Sequence, residues 1–204
     1  MERPNILGKT RDCIIKMKSG SVFSASDFSE IGDSAKIGVT LFRLEKEGLI
    51  RKVLHGLYVY PEYNAFLEEY IEPSPDEVAH ALARKFGWTI VPCGDTALNL
   101  LGLSTQVPSV WAYVSDGTYK EYSYGRIKLS FKRTTNKEIS KLSYKTAIVI
   151  QALKAIGKDS VTDDIVGKIR EHTTEKEKKS MLSEAKFATS WVYEVIKKIC
   201  GGNE

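Results

Sequence analysis

The chain has 204 residues, of which 42% are hydrophobic and 27% charged, and its formal net charge is +4. These fractions are near globular averages and exclude disordered, collagen-like and coiled-coil chains, while the length allows one large domain or two small ones. No apolar run approaches the roughly 18 residues of a membrane span, and the first residues lack the apolar core of a secretory signal. We therefore expect a cytoplasmic protein with no membrane contact.

Cysteine and histidine are too dispersed to indicate a metal site or a disulfide framework. Metal sites usually show close pairs of ligands, and none of these residues forms such a pair. We predict no metal and no cofactor. The residues concerned are Cys13, Cys93, Cys200, His55, His80 and His172.

The modest net charge is unevenly distributed. Residues 1–60 carry a net charge of +3, residues 61–73 carry −4, and residues 74–204 carry +5. The acidic segment is bounded by Pro61 and Pro73, which favours two domains joined by a connector over these three ranges. Within the connector the apolar residues recur at helical spacing, which predicts a packed connecting helix: Tyr63, Phe66, Leu67, Tyr70 and Ile71.

Three helices are predicted in the N-terminal domain. The first covers residues 9–18, and the second starts near Ser24. The third begins at an Asp33 cap and ends before Gly48. Gly38 interrupts this third helix at a cost of about 1 kcal/mol relative to Ala, which would allow close approach of DNA or of another helix. One stripe of the third helix must face a core: Ile37, Leu41 and Leu44.

Strand signals surround these helices. A brief extended stretch at residues 21–23 precedes the second helix, and strands at 49–54 and 57–60 follow the third, joined by a His55-Gly56 turn typical of a hairpin. This order of elements is that of a winged helix-turn-helix, in which the third helix enters the DNA major groove and the hairpin, or wing, contacts the backbone. The predicted fold class is α+β, with this module followed by a small mixed α+β domain that ends in a helical tail.

Seven residues of the N-terminal domain are candidate contacts to double-stranded DNA. Arg43 is the best candidate for a guanine edge, whereas Lys36 and the wing residues suit phosphates. The third helix would present Ser34, Lys36, Thr40 and Arg43, and the wing Arg51, Lys52 and His55. Basic residues on an exposed helix are also commonly just solvated, and winged helices also dock proteins, so a protein-interaction adaptor is the alternative function.

The C-terminal domain has its own pattern. A helix capped at Ser74 opens it and ends before Gly87. From Tyr144 to Cys200 the pattern is helical throughout. Between them we predict a helix at 94–101 and strands at 88–91, 110–114 and 127–131.

Residues 119–132 combine tyrosines with basic side chains. Such a band can stack on bases while its cations follow phosphates. A half-exposed hairpin whose tyrosines pack on the sheet has the same composition, and we favour that interpretation.

No catalytic motif is convincing, and we predict no enzymatic activity. Glu184-Ala185-Lys186 matches the E-x-K triplet of restriction-type nucleases, but it lies in a helical segment without a partner Asp on a strand. Cys93 has no His at a useful spacing, and no glycine-rich phosphate loop is present. A metal-dependent nuclease is therefore the least favoured alternative.

Three segments resemble a known family. Residues 42–61, FRLEKEGLIRKVLHGLYVYP, resemble the end of the winged helix in the AbiEi antitoxin family, and residues 75–108 resemble a DUF6088-type member, most specifically in LGLSTQVP. Residues 143–166 are similar to the helical part of the family. The resemblance implies an antitoxin of a type IV toxin–antitoxin system, encoded beside a nucleotidyltransferase-like toxin. It implies an autorepressor that binds its own operator through the winged helix, with the antitoxic activity in the C-terminal domain.

Overall fold

The computed structural model describes residues 5–134, 139 and 141–201. The chain is a mixed α+β protein that divides into two compact units. The first contains Met1–Trp88 and the turn Tyr124–Arg126, and the second contains Thr89–Ser123 and Ile127–Glu204. No helix in the described part is long and apolar enough to cross a bilayer.

Over residues 5–88, the first unit combines three α-helices with two small sheets. Strands β1, β3 and β2 form an antiparallel sheet in that order, and β4 pairs with β5. In chain order the elements are α1 (Ile6–Ile15), β1 (Val22–Phe23), a 3-10 turn (Ala25–Phe28), α2 (Ser34–Lys46), β2 (Arg51–Leu54), β3 (Leu57–Val59), β4 (Glu62–Asn64), β5 (Glu69–Ile71) and α3 (Pro75–Phe86).

The core of the first unit lies under α2. The stripe predicted for this helix is confirmed, because Ile37, Leu41 and Leu44 are fully buried. They pack in one cluster with residues of α1 and of the sheet. In that cluster Phe23 meets Phe28 edge to face, with ring centroids 5.4 Å apart, a favoured aromatic geometry.

Helix α3 forms where its sequence signals predict it. Ser74 caps the first turn by accepting from the Glu77 N–H, Pro75 occupies the first helical position, and Gly87 ends the helix in a left-handed conformation. The compact units divide after Trp88, whereas the predicted C-terminal domain starts at residue 74. The reason is tertiary, because side chains of α3 hydrogen-bond to the N-terminal sheet and turns.

The connector at residues 61–73 is not the helix that its apolar spacing predicts. It is the β4–β5 hairpin, in which Glu62 pairs with Ile71 and Asn64 with Glu69. The Asn64 side chain accepts from the N–H groups of Phe66 and Leu67, at 2.9 and 3.1 Å. Such an Asx turn closes the chain on itself and competes with a helix, so the helical prediction is wrong.

In the described residues, the second unit has one sheet and five α-helices. The strand order is β6-β7-β9-β8, with β6 antiparallel and β9 parallel to β7. In chain order the elements are β6 (Ile90–Pro92), α4 (Asp95–Leu100), β7 (Trp111–Ser115), β8 (Lys120–Tyr124), β9 (Ile127–Arg133), α5 (Tyr144–Ile156), α6 (Asp163–Glu171), α7 (Glu175–Glu184) and α8 (Ser190–Ile199).

Helix α5 is the centre of the second unit. Its residues from Thr146 to Leu153 are all buried, as expected for a helix that is apolar on all sides. Ala147 and Ile148 pack with Val91 and Ala97. The opposite side of α5 packs on the last three helices, with a core of Ile169, Met181, Val192, Ile196 and Ile199.

Candidate nucleic-acid interface

Helix α2 starts at a well-formed cap. The Asp33 carboxylate accepts from the Lys36 backbone N–H at 2.9 Å and lies 2.7 Å from Lys36 Nζ. These hydrogen bonds hold the pKa of Asp33 below its usual value, and the same contact raises the pKa of Lys36. The positive charge of Lys36 is therefore partly compensated by the residue that caps the helix.

The four residues predicted for the outer face of α2 do not all lie there. Ser34, Lys36 and Arg43 are exposed, but Thr40 is only 7% exposed and donates from Oγ1 to the Lys36 carbonyl at 2.9 Å. At about 100° per residue, Thr40 lies roughly 60° from the core residue Ile37. The prediction that Thr40 is on the outer face is wrong.

Two apolar side chains occupy the centre of the exposed face instead. Val39 is 57% and Phe42 51% exposed. By helical geometry they lie roughly 200° and 140° from Ile37, so the spacing of these two residues already places them opposite the buried stripe. Lys46 Nζ lies 5.4 Å from the Phe42 ring centroid. The outer face of α2 is a mixed surface of two apolar and three basic side chains.

Arg43 is the most available cation on this face. Its guanidinium has no hydrogen bond or ion pair with any residue that the structure describes. Glu47, one helical turn after Arg43, is already paired with Arg11. Arg43 can therefore offer its planar donors to an acceptor outside the chain.

The three candidate residues on the β2–β3 hairpin, which are Arg51, Lys52 and His55, differ in direction and in contacts. Arg51 and Lys52 are consecutive on β2, paired with Val59 and Tyr58, so their side chains point to opposite faces of the hairpin. The Arg51 guanidinium lies 4.7 Å from the Tyr70 ring centroid. His55 is exposed at the turn, where its carbonyl accepts from Lys85 Nζ at 2.7 Å. The β2–β3 hairpin thus leaves Lys52 and His55 exposed, whereas Arg51 lies against an aromatic ring.

The three tyrosines of residues 119–132 each contact another residue of the same chain. Tyr119 is 61% exposed, and its hydroxyl donates to Glu121 at 2.6 Å. Tyr122 packs edge to face on Phe131, and the Tyr124 hydroxyl donates to the Pro73 carbonyl at 3.0 Å. These contacts favour the packed hairpin over a base-stacking surface.

The E-x-K triplet lies at a helix cap. Glu184 accepts hydrogen bonds from the Ser143 N–H and hydroxyl, at 2.9 and 2.8 Å, just before α5 begins. Burial raises the pKa of Glu184, but the hydrogen bonds from Thr146 and Ser143 outweigh it, and the net pKa lies below its usual value. Among the described residues there is no group of three or more His, Cys, Asp or Glu placed to hold a metal.

These features define a class of small mixed α+β protein with a capped, partly basic helix exposed on its N-terminal unit. The chain belongs to DUF6088, a family of unknown function whose profile matches residues 9–182. No curated protein matches the sequence.

Proposed function

We propose that the first unit is a winged helix-turn-helix that binds double-stranded DNA, with residues 1–60 as the binding domain. The observation that carries the proposal is the arrangement of α1, β1, the 3-10 turn, α2 and the β2–β3 hairpin, with a sheet in the order β1-β3-β2. Winged helices have this order of elements, with the 3-10 turn in the place of their second helix. In that arrangement α2 is the recognition helix.

The side chains on α2 have the chemistry for this role. Arg43 is exposed and can donate two parallel hydrogen bonds to a guanine edge in the major groove. Lys36 and, on the wing, Lys52 and His55 can approach phosphates. Val39 and Phe42 add an apolar contact of the kind that thymine methyl groups accept.

The wider function that we propose is a cytoplasmic autorepressor and antitoxin of a type IV toxin–antitoxin system, without enzymatic activity of its own. Its support is the resemblance of residues 42–61 and 75–108 to the AbiEi antitoxin family. The DNA partner is the operator upstream of its own gene. The functional partner is a nucleotidyltransferase-like toxin, which the second unit counteracts.

The direct test is a mobility-shift titration on the DNA upstream of the gene, repeated at several salt concentrations. Wild-type protein should bind with salt-sensitive affinity, and Lys36→Ala/Arg43→Ala should weaken binding and reduce the salt slope by about one per lost phosphate contact. Lys176→Ala/Lys179→Ala is the matched control, because it removes two exposed charges from the second unit. Binding that is absent, insensitive to salt, or reduced equally by the control would contradict the proposal.

The antitoxin part has a separate test. Co-expression of the neighbouring toxin gene with the full chain should restore growth, and the Lys36→Ala/Arg43→Ala variant should restore it equally, because repression and antitoxic activity reside in different units. Failure of the full chain to restore growth would overturn the antitoxin proposal and leave DNA binding standing.

A protein-interaction adaptor is the second candidate. The exposed Val39 and Phe42 favour it, because contiguous exposed apolar side chains also mark protein interfaces. A stable stoichiometric complex with the neighbouring gene product, formed without DNA and lost in Val39→Ser/Phe42→Ser, would support this candidate over the first.

A further inference from the structure

The β4–β5 hairpin exposes its apolar side chains on both faces. Phe66 at its tip is 94% exposed, and the others are exposed by two-fifths or more. A two-stranded hairpin is marginal by itself and normally buries such residues. The exposed set is Tyr63, Phe66, Leu67, Tyr70 and Ile71.

The hairpin is nevertheless held in a defined position. Tyr63 and Tyr70 meet edge to face, with centroids 5.2 Å apart, and Arg51 lies over the Tyr70 ring. Asn64 fixes the turn through its two backbone hydrogen bonds. The base of the hairpin is therefore ordered, so its tip can bind a partner with a small loss of conformational entropy.

The charge of the hairpin limits the kind of partner. Four glutamates and no basic residue lie between Pro61 and Pro73, and all four are exposed. They repel phosphate backbones and anionic membranes. The complementary surface is a protein face that combines apolar side chains with positive charge.

The outer face of α2 has that composition. Val39 and Phe42 are its apolar centre, and Arg43 and Lys46 flank them. Within one chain both surfaces stay exposed, so the hairpin does not cover its own α2. A second copy can cover both surfaces. In a two-fold arrangement each hairpin covers the α2 of the other copy, so no docking surface is left open for a third copy.

We propose that the chain forms a reciprocal dimer in which the acidic, aromatic β4–β5 hairpin of each copy docks on the outer face of the partner's α2. The contact is small and largely exposed, so the dimer is weak and sensitive to salt. If α2 binds DNA as proposed above, the same contact covers Arg43, Val39 and Phe42, and the dimer and the DNA complex exclude one another. Self-association would then regulate access to the operator.

Sedimentation over a wide range of protein concentration, at low and high salt, tests the dimer without DNA. Wild-type protein should dimerise and dissociate with salt. Phe66→Ser/Leu67→Ser and Val39→Ser/Phe42→Ser should each raise the dissociation constant tenfold or more. Phe187→Ser is the matched control, because Phe187 is 96% exposed on the second unit, and this variant should dimerise like wild type.

A pair of charge-reversal variants tests the same contact without removing its apolar side chains. Glu68→Lys/Glu69→Lys makes the tip of the hairpin basic and brings the net charge of residues 61–73 from −4 to 0, so the hairpin no longer attracts a basic α2. Arg43→Glu/Lys46→Glu makes the outer face of α2 acidic, so that it repels the acidic hairpin. Each variant should be monomeric alone. An equimolar mixture of the two should dimerise, since the basic hairpin tip of one copy meets the acidic α2 of the other, and the unchanged acidic hairpin meets the unchanged basic α2. Circular dichroism establishes that each variant is folded.

Wild-type protein that is monomeric at all concentrations would overturn the dimer, as would association that survives both double substitutions or fails to return in the mixture. A monomer that binds DNA would leave the proposed function intact. A dimer that binds no DNA would support the reciprocal dimer and overturn the proposed DNA binding. Operator DNA added to the dimer should dissociate it, and a stable dimer–DNA complex with unchanged affinity would contradict mutual exclusion.

Discussion

Arg84 of α3 donates from Nε to the Asp27 carboxylate at 2.8 Å, and its Nη2 donates to the Val22 carbonyl at 2.9 Å. Asp27 also accepts from the Ser24 N–H at 2.8 Å, so one guanidinium joins α3 to β1 and to the capped turn before α2. Charge-assisted bonds with this fixed geometry are stronger than neutral ones. They fix α3 within the first unit.

Removal of this link should destabilise the first unit. We expect Arg84→Ala to lower the free energy of unfolding by about 1–2 kcal/mol, because the Val22 carbonyl and the Asp27 carboxylate both lose a donor. Urea denaturation followed by circular dichroism measures the change. Arg43→Ala, at an exposed arginine with no ion-pair partner among the described residues, should stay within about 0.5 kcal/mol of wild type. Equal effects of the two substitutions would contradict this role of Arg84.

Substitution by alanine should change stability in opposite directions at Gly38, which lies within α2, and at Gly48, which follows its C-terminal end. A Cβ added at Gly38 or at Gly48 meets nothing within 4 Å, but Gly48 has a φ of +79° and Gly38 has ordinary helical backbone. We expect Gly38→Ala to stabilise by about 0.5–1 kcal/mol and Gly48→Ala to destabilise by about 1 kcal/mol. Thermal denaturation of both variants measures the difference, and a shift of the same sign in both would contradict it.

Local signals in the sequence were sufficient for much of this fold. The Asp33 cap and the spacing of Ile37 and Leu41 predict α2 and its buried face, and Ser74 and Gly87 bound α3 correctly, because capping and periodicity depend only on neighbouring residues. The exposed face of α2 was less well predicted, since polarity alone does not show that Thr40 lies beside the buried stripe and bonds to its own helix.

Long-range contacts determine the features that local signals did not predict, which are the placement of α3 in the first unit and the hairpin at residues 61–73. Arg84 bonds to residues more than fifty positions earlier, which no local pattern reveals. In the connector, Tyr63 and Tyr70 fit helical spacing but meet across an antiparallel pair. Apolar residues in a short window are compatible with either structure, and here the Asn64 turn selects the hairpin.

Glu184 should matter for stability through its cap on α5, and its contribution should depend on pH. Its pKa is lowered in the folded chain from the ordinary 4.5, so the contribution is full above about pH 4.5 and disappears as pH falls through the folded value. We expect Glu184→Gln to cost about 1–2 kcal/mol at pH 7 and progressively less in acid.

Glu175→Gln is the control for this measurement, because its carboxylate lies on the same helix, is largely exposed and pairs with Lys178. It should cost no more than about 0.5 kcal/mol. A Mg²⁺-dependent DNA cleavage that is abolished in Glu184→Gln without loss of stability would favour the nuclease alternative over a structural cap.

Val39 and Phe42 should make the proposed DNA contact sensitive to thymine methyl groups. Uracil in place of thymine removes only that methyl, and each methyl buried against an apolar side chain is worth about 0.8 kcal/mol, or roughly fourfold in affinity. We expect wild-type protein to bind uracil-substituted operator DNA more weakly. Val39→Ala/Phe42→Ala should bind both DNAs with equal, reduced affinity, whereas Phe187→Ala should behave like wild type. A variant that still distinguishes thymine from uracil would assign the methyl contact to other residues.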